Sequence, residues 1–91
     1  MDKITFQVIV DSLRDGREIE FSYKGKQYSI TNSNGYWNFC CDTDNLLIEK
    51  ICPFKDKETL IQRVSIFSVE GTPIPIIFNE AKYDISSVCI L

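Results

Sequence analysis

The fold is decided by residues 17–41, which read REIEFSYKGKQYSITNSNGYWNFCC. Two dipeptides in this stretch, Lys24-Gly25 and Asn34-Gly35, fit the two-residue loops of β-hairpins, and Asn-Gly is the strongest short-range hairpin signal. Apolar and polar residues alternate on both sides of each loop, which is the period of a strand with one buried face. The stretch therefore predicts a three-stranded antiparallel meander.

The two loops also predict the pairing register. The first loop pairs Phe21 with Tyr28, and the second pairs Ile30 with Phe39. Both registers agree on which side chains share a face, and a one-residue slip in either would scramble the pattern. The predicted buried face carries Ile19, Phe21, Tyr28, Ile30, Trp37, Phe39 and Cys41. The predicted outer face carries Glu20, Ser22, Gln27, Ser29, Thr31, Asn38 and Cys40.

Residues 3–14, before the meander, are predicted to form a helix. Asp2 can cap its start and Gly16 can take the left-handed position after its end. A strand is the competing interpretation, because some apolar residues also alternate. The stop signal at Asp15-Gly16 favours a helix of about three turns. The helical stripe consists of Phe6, Ile9, Val10 and Leu13.

The segment after the meander gives weaker signals. Leu46 to Ile51 fits a fourth strand, which Pro53 would end. A short helix is predicted to begin at Lys55 or Asp56, with Leu60, Ile61 and Val64 facing inward.

The last quarter of the chain is predicted to hold a helix and a strand. Thr72 as N-cap and Pro73 as the first helical residue predict a helix over 73–81, although 74–78 also fits a strand. Residues 84–91 predict a final strand. The order α-β-β-β-(β)-α-α-β describes one α+β domain over 1–91, an antiparallel meander sheet with helices packed on one face.

The composition excludes most enzyme classes. The chain has 91 residues, 44% of them hydrophobic, with 10 basic against 13 acidic residues and no histidine. Without histidine there is no Ser-His or Cys-His nucleophile pair and the commonest general base is missing. We therefore predict a protein that is not an enzyme and has no cofactor.

The four cysteines do not have the spacing of a metal site. Cys40 and Cys41 are adjacent, and adjacent residues of a strand point to opposite faces, so they could not hold one metal together. Cys52 and Cys89 stand alone in the sequence. No signal peptide and no apolar run of about 20 residues is recognisable, so we expect a cytoplasmic protein with reduced thiols and no membrane contact.

Three residues are candidate partner-binding residues. Lys24 and Lys26 flank Gly25 at a hairpin tip, where basic and aromatic side chains could hold phosphates or an acidic protein. Tyr36 faces outward in the predicted register and could supply contact area. The plainer interpretation is a solvated turn with two ordinary lysines and a lone surface tyrosine.

Residues 21–30, FSYKGKQYSI, followed by Gly35-Tyr36-Trp37, resemble small uncharacterised proteins of bacteria and their phages. Those proteins have an N-terminal helix, a Y-x-G-K-x-Y-S-I hairpin and a G-W strand. The resemblance implies the same fold and assigns no activity or site residue. Cys40-Cys41 and the segment with Pro73 and Pro75 lie outside the pattern.

The leading hypothesis is therefore a small intracellular module that binds another protein, as a monomer or homodimer. Its sharpest form is an inhibitor of a host system, encoded by a phage or mobile element and similar in role to anti-CRISPR proteins. One alternative is a nucleic-acid-binding domain that uses Lys24 and Lys26. The net charge of −3 makes nucleic acid a less favoured partner than protein. The other alternative is a self-assembling structural protein.

Overall fold

Three helices cover one face of an antiparallel sheet in the computed structural model, which describes residues 3–84 and 86–91. The predicted α+β class is confirmed. The elements are α1 (Phe6–Arg14), β1 (Ile19–Tyr23), β2 (Lys26–Ser33), β3 (Tyr36–Cys41), β4 (Leu46–Pro53), α2 (Lys57–Ile66), β5 (Ser68–Val69), β6 (Thr72–Pro73), α3 (Ile74–Asn79) and β7 (Cys89–Ile90).

The main sheet has the strand order β4-β3-β2-β1-β7. Its meander has the predicted register, with Phe21 opposite Tyr28 and Ile30 opposite Phe39. Both residues of each loop adopt a positive φ, with 50° and 81° at Lys24-Gly25 and 54° and 81° at Asn34-Gly35. These values are the conformation that makes a two-residue loop match the twist of the strands it joins.

The inner face of the sheet and the helices enclose one core. All seven side chains predicted for the buried face are buried. Ser29 is an exception on the outer face, because it is only 3% exposed. Its short side chain lies between Glu20 and Cys40 of the flanking strands, and its hydroxyl donates to Asp42 Oδ1 at 3.1 Å. The helices contribute Ile9, Leu13, Leu60, Val64, Ile74, Ile77 and Phe78 to the core.

Helix α1 begins later than predicted. Its N-cap is Thr5, whose hydroxyl accepts a hydrogen bond from the Val8 amide at 3.4 Å. The start at residue 3 was wrong, and the proposed cap Asp2 lies outside the described residues. Gly16 follows the helix with φ of 82°, as predicted. The helix prediction for this segment is therefore confirmed, and the competing strand interpretation was wrong.

Strand β4 and helix α2 confirm the two predictions for the middle of the chain. Pro53 is the last residue of β4. Asp56 caps α2, since its carboxylate accepts from the Thr59 amide at 3.2 Å. Leu60 and Val64 are buried as predicted, whereas Ile61 is only partly buried against the core.

A small hairpin, β5–β6, precedes α3 and was not predicted. Its loop, Glu70-Gly71, has φ of 51° and 79°, like the two loops of the meander. Thr72 belongs to β6, and its hydroxyl lies 3.0 Å from the Tyr23 hydroxyl. The helix prediction for this segment is confirmed over the strand alternative at 74–78, but Thr72 does not cap it. Helix α3 runs from Ile74 to Asn79 and is shorter than the predicted 73–81.

The predicted final strand is much shorter than 84–91. Only Cys89 and Ile90 pair with β1, opposite Glu20 and Ile19. Ile85 lies outside the described residues. The rest of the segment 84–91 contacts β1 through side chains and isolated backbone hydrogen bonds. The strand preferences of these residues do not reveal this.

Candidate functional site

The two edges of the main sheet differ. The C-terminal segment covers the β1 edge beyond β7, because the Asp84 amide donates to the Ser22 carbonyl and the Leu91 amide to the Glu18 carbonyl, both at 2.8 Å. The Ser22 amide donates to Ser87 Oγ at 3.0 Å. In contrast, no strand of the described residues pairs with the outer edge of β4. The open edge of the sheet is therefore β4.

Exposed apolar side chains concentrate at this open edge. Eight large hydrophobic residues are exposed within the described ranges, and four of them belong to β3 and β4. Leu46 and Leu47 are each 54% exposed, Ile48 is 45% exposed and Tyr36 is 38% exposed. We call these four residues, together with Lys50, the β3–β4 surface.

Two irregularities in the pairing shape the β3–β4 surface. The register shifts between Trp37 and Asn38 and again between Phe39 and Cys40, which leaves Ile51 and Ile48 as the extra residues of β4. Bulges of this kind bend an edge strand and interrupt its ladder, so they hinder the addition of a further strand. Contacts at this edge are therefore better made by side chains than by backbone pairing.

The register also decides which β4 residues share the outer face of the sheet. Leu47 lies opposite Cys40, Lys50 opposite Asn38, and Pro53 opposite Tyr36. Residues opposite each other in antiparallel strands point to the same face. Because of the bulges, the outward positions of β4 recur every three residues instead of every two.

Lys50 is the charged member of the β3–β4 surface. Its ammonium lies 4.1 Å from the centre of the Tyr36 ring, within the range of a cation–π contact. The neighbouring Glu49 is held differently, by two hydrogen bonds from Arg63 at 2.8 and 2.9 Å. Among the described residues, no carboxylate forms an ion pair with Lys50.

The structure separates the three sequence-predicted binding residues. Lys24 and Lys26 lie at one end of the sheet, whereas Tyr36 follows the hairpin loop at the other end. Strand β2 runs from Lys26 to Ser33, so at about 3.3 Å per residue its ends are about 23 Å apart. The three residues do not form one surface.

Lys26 is already engaged within the chain. Its ammonium lies 2.7 Å from Asp44 Oδ2 in the β3–β4 turn. The hydrogen bond and charge of Asp44 raise the pKa of Lys26, and Lys26 in turn lowers the pKa of Asp44. Lys24 is exposed, with its ammonium 5.5 Å from the Tyr23 ring. The candidate contact surface is therefore the β3–β4 surface, and the binding roles of Lys24 and Lys26 stay predictions.

Leu46, Leu47 and Ile48 were not identified as surface residues from the sequence. The sequence nevertheless indicated that at least one of them is exposed, since three consecutive apolar residues in one strand cannot all face the core. That they are exposed follows from the edge position of β4 and from its bulges, neither of which local sequence preferences reveal.

The thiols follow the predicted orientation of β3. Cys41 is buried, Cys40 is half-buried on the outer face, and all four cysteines are free. Burial, and then the charge of Asp42, raises the pKa of Cys40, while burial raises the pKa of Cys52. The described part of the chain holds no group of three cysteine or acidic side chains that could bind a metal ion. It also holds no helix that is both long and apolar enough to span a membrane.

No protein family, curated protein or solved structure matches the chain in comparisons of its sequence and structure.

Proposed function

We propose that the protein is a small non-catalytic module that binds another protein through the β3–β4 surface. The observation that supports this is the concentration of exposed Tyr36, Leu46, Leu47 and Ile48 beside the open edge of the sheet. Leu46, Leu47 and Ile48 are consecutive at one end of β4, and grouped exposed apolar residues are more typical of contact sites than isolated ones.

The apolar residues can supply a useful share of binding energy. Burying a whole leucine or isoleucine side chain stabilises a complex by about 1.5–3 kcal/mol, so each half-exposed one can add about 0.8–1.5 kcal/mol. Leu46, Leu47 and Ile48 together can therefore contribute about 2.4–4.5 kcal/mol, which is about 60- to 2000-fold in affinity. Tyr36 adds a rigid ring with a polar end, the type of side chain often found at contact hot spots.

The remaining parts of the proposal rest on the sequence. The absence of histidine supports a non-catalytic role, and four free thiols support an intracellular location. The resemblance of the hairpin stretch to phage and bacterial proteins supports the sharper form, an inhibitor that occupies a host protein stoichiometrically. Such an inhibitor needs a contact surface and no catalytic centre.

The test is a differential capture from an extract of the organism that encodes the protein. Wild type, Leu47→Ser and the control Leu91→Ser are immobilised, and the retained proteins are quantified by mass spectrometry. Leu91 is a fitting control because it is 62% exposed but lies beside β1. Both changes replace exposed side chains, so all three proteins should melt at nearly the same temperature.

We expect at least one protein that wild type and Leu91→Ser retain equally and that Leu47→Ser retains about 4- to 12-fold less. If Leu47→Ser retains the same proteins in the same amounts as wild type, binding does not use the β3–β4 surface.

A further inference from the structure

The C-terminal segment covers the edge of β1 without forming a continuous strand. Only Cys89 and Ile90 pair with β1. Beside them, the Ser22 amide donates to Ser87 Oγ at 3.0 Å, where a continuous strand would offer a backbone carbonyl. We call residues 86–91 the C-terminal cover.

Strand β1 itself is regular. Its five pairs with β2 show no register shift, in contrast to the bulged pairing of β4. Alternate residues of an antiparallel strand direct their backbone groups to opposite neighbours. In β1 and the residue before it, Glu18, Glu20 and Ser22 are the ones directed to the C-terminal cover. This edge can therefore form a continuous ladder with an added strand.

Little apolar area holds the C-terminal cover in place. Val88 and Ile90 are partly buried against the core, whereas Cys89 and Leu91 are exposed. Ser86 has a φ of 65°, which is an unfavourable conformation for a residue other than glycine. Segments with few buried contacts open locally while the rest of a domain stays folded. We therefore expect the C-terminal cover to open before the rest of the sheet.

Two carboxylates of β1 and its preceding residue lie across from uncharged positions of the C-terminal cover. Glu20 lies directly opposite Cys89, and Glu18 accepts the backbone hydrogen bond from Leu91 in the same register. Among the described residues, neither Glu18 nor Glu20 forms an ion pair. Opposite charges across two strands stabilise their pairing. A strand with cations at these two positions would therefore fit the edge better than the chain's own segment does.

We propose that the C-terminal cover opens and that β1 then accepts a basic, extended segment of another protein as an antiparallel strand. This segment has apolar residues where Val88 and Ile90 lie, and lysine or arginine opposite Glu18 and Glu20. A second copy of the chain is a poorer occupant, because its own C-terminal cover holds no cation. The inference concerns the other edge of the sheet and does not depend on the β3–β4 surface.

Amide hydrogen exchange of the full chain, followed by NMR, tests the opening. The Glu20 and Ser22 amides face the C-terminal cover, whereas the Phe21 amide faces β2. We expect protection factors at Glu20 and Ser22 that are at least about 10-fold lower than at Phe21. The double variant with Cys89→Lys and Leu91→Lys should raise protection at Glu20 by about 2- to 30-fold. Equal protection of the three amides in wild type, or no increase in the double variant, overturns the proposal.

Three peptides of residues 86–91 with blocked ends test the acceptance of a strand. The first has the native sequence, the second carries Cys89→Lys and Leu91→Lys, and the third carries Cys89→Glu and Leu91→Glu. Each is titrated into the labelled full chain to about 5 mM, because a tethered segment has an effective concentration of about 1 mM. The ionic strength is about 0.03 M, where charge contacts are screened least. The lysine peptide should shift the amides of residues 18–22 and bind at least about 4-fold more tightly than the glutamate peptide.

Two variants of the full chain locate the charge preference. Glu20→Lys should lose the preference for the lysine peptide, because one of the two attractive pairs becomes repulsive. Glu70→Lys is the matched control, since it makes the same charge change in the β5–β6 loop and should keep the preference of wild type.

Ile90→Ser provides a second test, because it weakens the C-terminal cover and should bind the lysine peptide more tightly than wild type does. A preference for the lysine peptide in wild type or in Ile90→Ser supports the proposal. The proposal is overturned if no peptide shifts residues 18–22 in either protein, or if the three peptides bind equally. It is also overturned if Glu70→Lys reduces the preference as much as Glu20→Lys.

Discussion

Replacing Phe21 by alanine is the sharpest test of how the sheet is held to the helices. Phe21 is completely buried at the centre of β1. Its ring stacks on Tyr28 at 5.6 Å between centroids and meets the edge of Phe78 in α3 at 5.2 Å. The substitution therefore removes contacts within the sheet and between the sheet and α3.

The expected loss follows from these contacts. Truncation of a buried phenylalanine to alanine costs about 3–5 kcal/mol, including the cavity that remains. A domain of this length has a free energy of unfolding of about 5–14 kcal/mol. With a urea m value of about 1.5 kcal/mol/M, the midpoint of unfolding should fall by about 2–3 M.

Urea titration monitored by Trp37 fluorescence measures this loss. Trp37 is the sole tryptophan and is completely buried, so its emission reports the unfolding of the core. If Phe21→Ala does not fold, Phe21→Leu should still fold with a smaller loss of about 1–2 kcal/mol. A midpoint for Phe21→Ala within about 0.3 M of wild type would refute the packing described.

The other predictions concern thiols, pH and the hairpin tip. In native protein Cys40 should react with a thiol reagent faster than Cys41, which is buried; labelling of Cys41 first would contradict the orientation of β3. Because the pKa of Asp44 is lowered in the folded protein, its pair with Lys26 stabilises the fold fully above about pH 3.9. This stabilisation is lost as the pH falls through the lowered pKa. Urea midpoints at pH 5 and 2.5 should therefore differ more in wild type than in Asp44→Asn, and equal differences would show that the pair contributes nothing. The double variant with Lys24→Glu and Lys26→Glu should bind the partner protein as wild type does. If wild type binds oligonucleotides in a salt-sensitive manner and the double variant does not, the hairpin tip is a nucleic-acid site.

The meander could be predicted because its sequence constraints are local. Asn34-Gly35 and Lys24-Gly25 each fix a loop, and a fixed loop determines the register of the strands it joins. The alternation of residues then decides which side chains are buried. Only Ser29 departed from the pattern, because its exposure depends on the length of the side chains in neighbouring strands.

The rest of the fold depended on contacts between distant residues. Thr72 has the sequence signature of a helix cap, but the Tyr23 hydroxyl, 49 residues away, lies beside its side chain instead. The final strand is short because most of the C-terminal segment contacts β1 through separate bonds, such as that from the Asp84 amide. Neither outcome follows from the preferences of nearby residues.

The candidate site was predicted only in part. Tyr36 was placed outward correctly, since its orientation follows from the Asn34-Gly35 loop. The exposure of Leu47 and Ile48 depends on β4 being the edge strand and on the bulges, which strand order and packing determine. The link from Lys26 to Asp44 joins two different turns, so the charge at the hairpin tip could not be read from one segment.

The most direct test of the proposed contact surface is an NMR titration of isotopically labelled protein with the partner recovered by differential capture. If the partner binds the β3–β4 surface, the largest changes in amide shifts fall on Tyr36 and on residues 46–50, with small changes at Lys24 and Lys26. Changes confined to the hairpin tip or to the exposed sides of α2 and α3, with residues 46–50 unaffected, would contradict it.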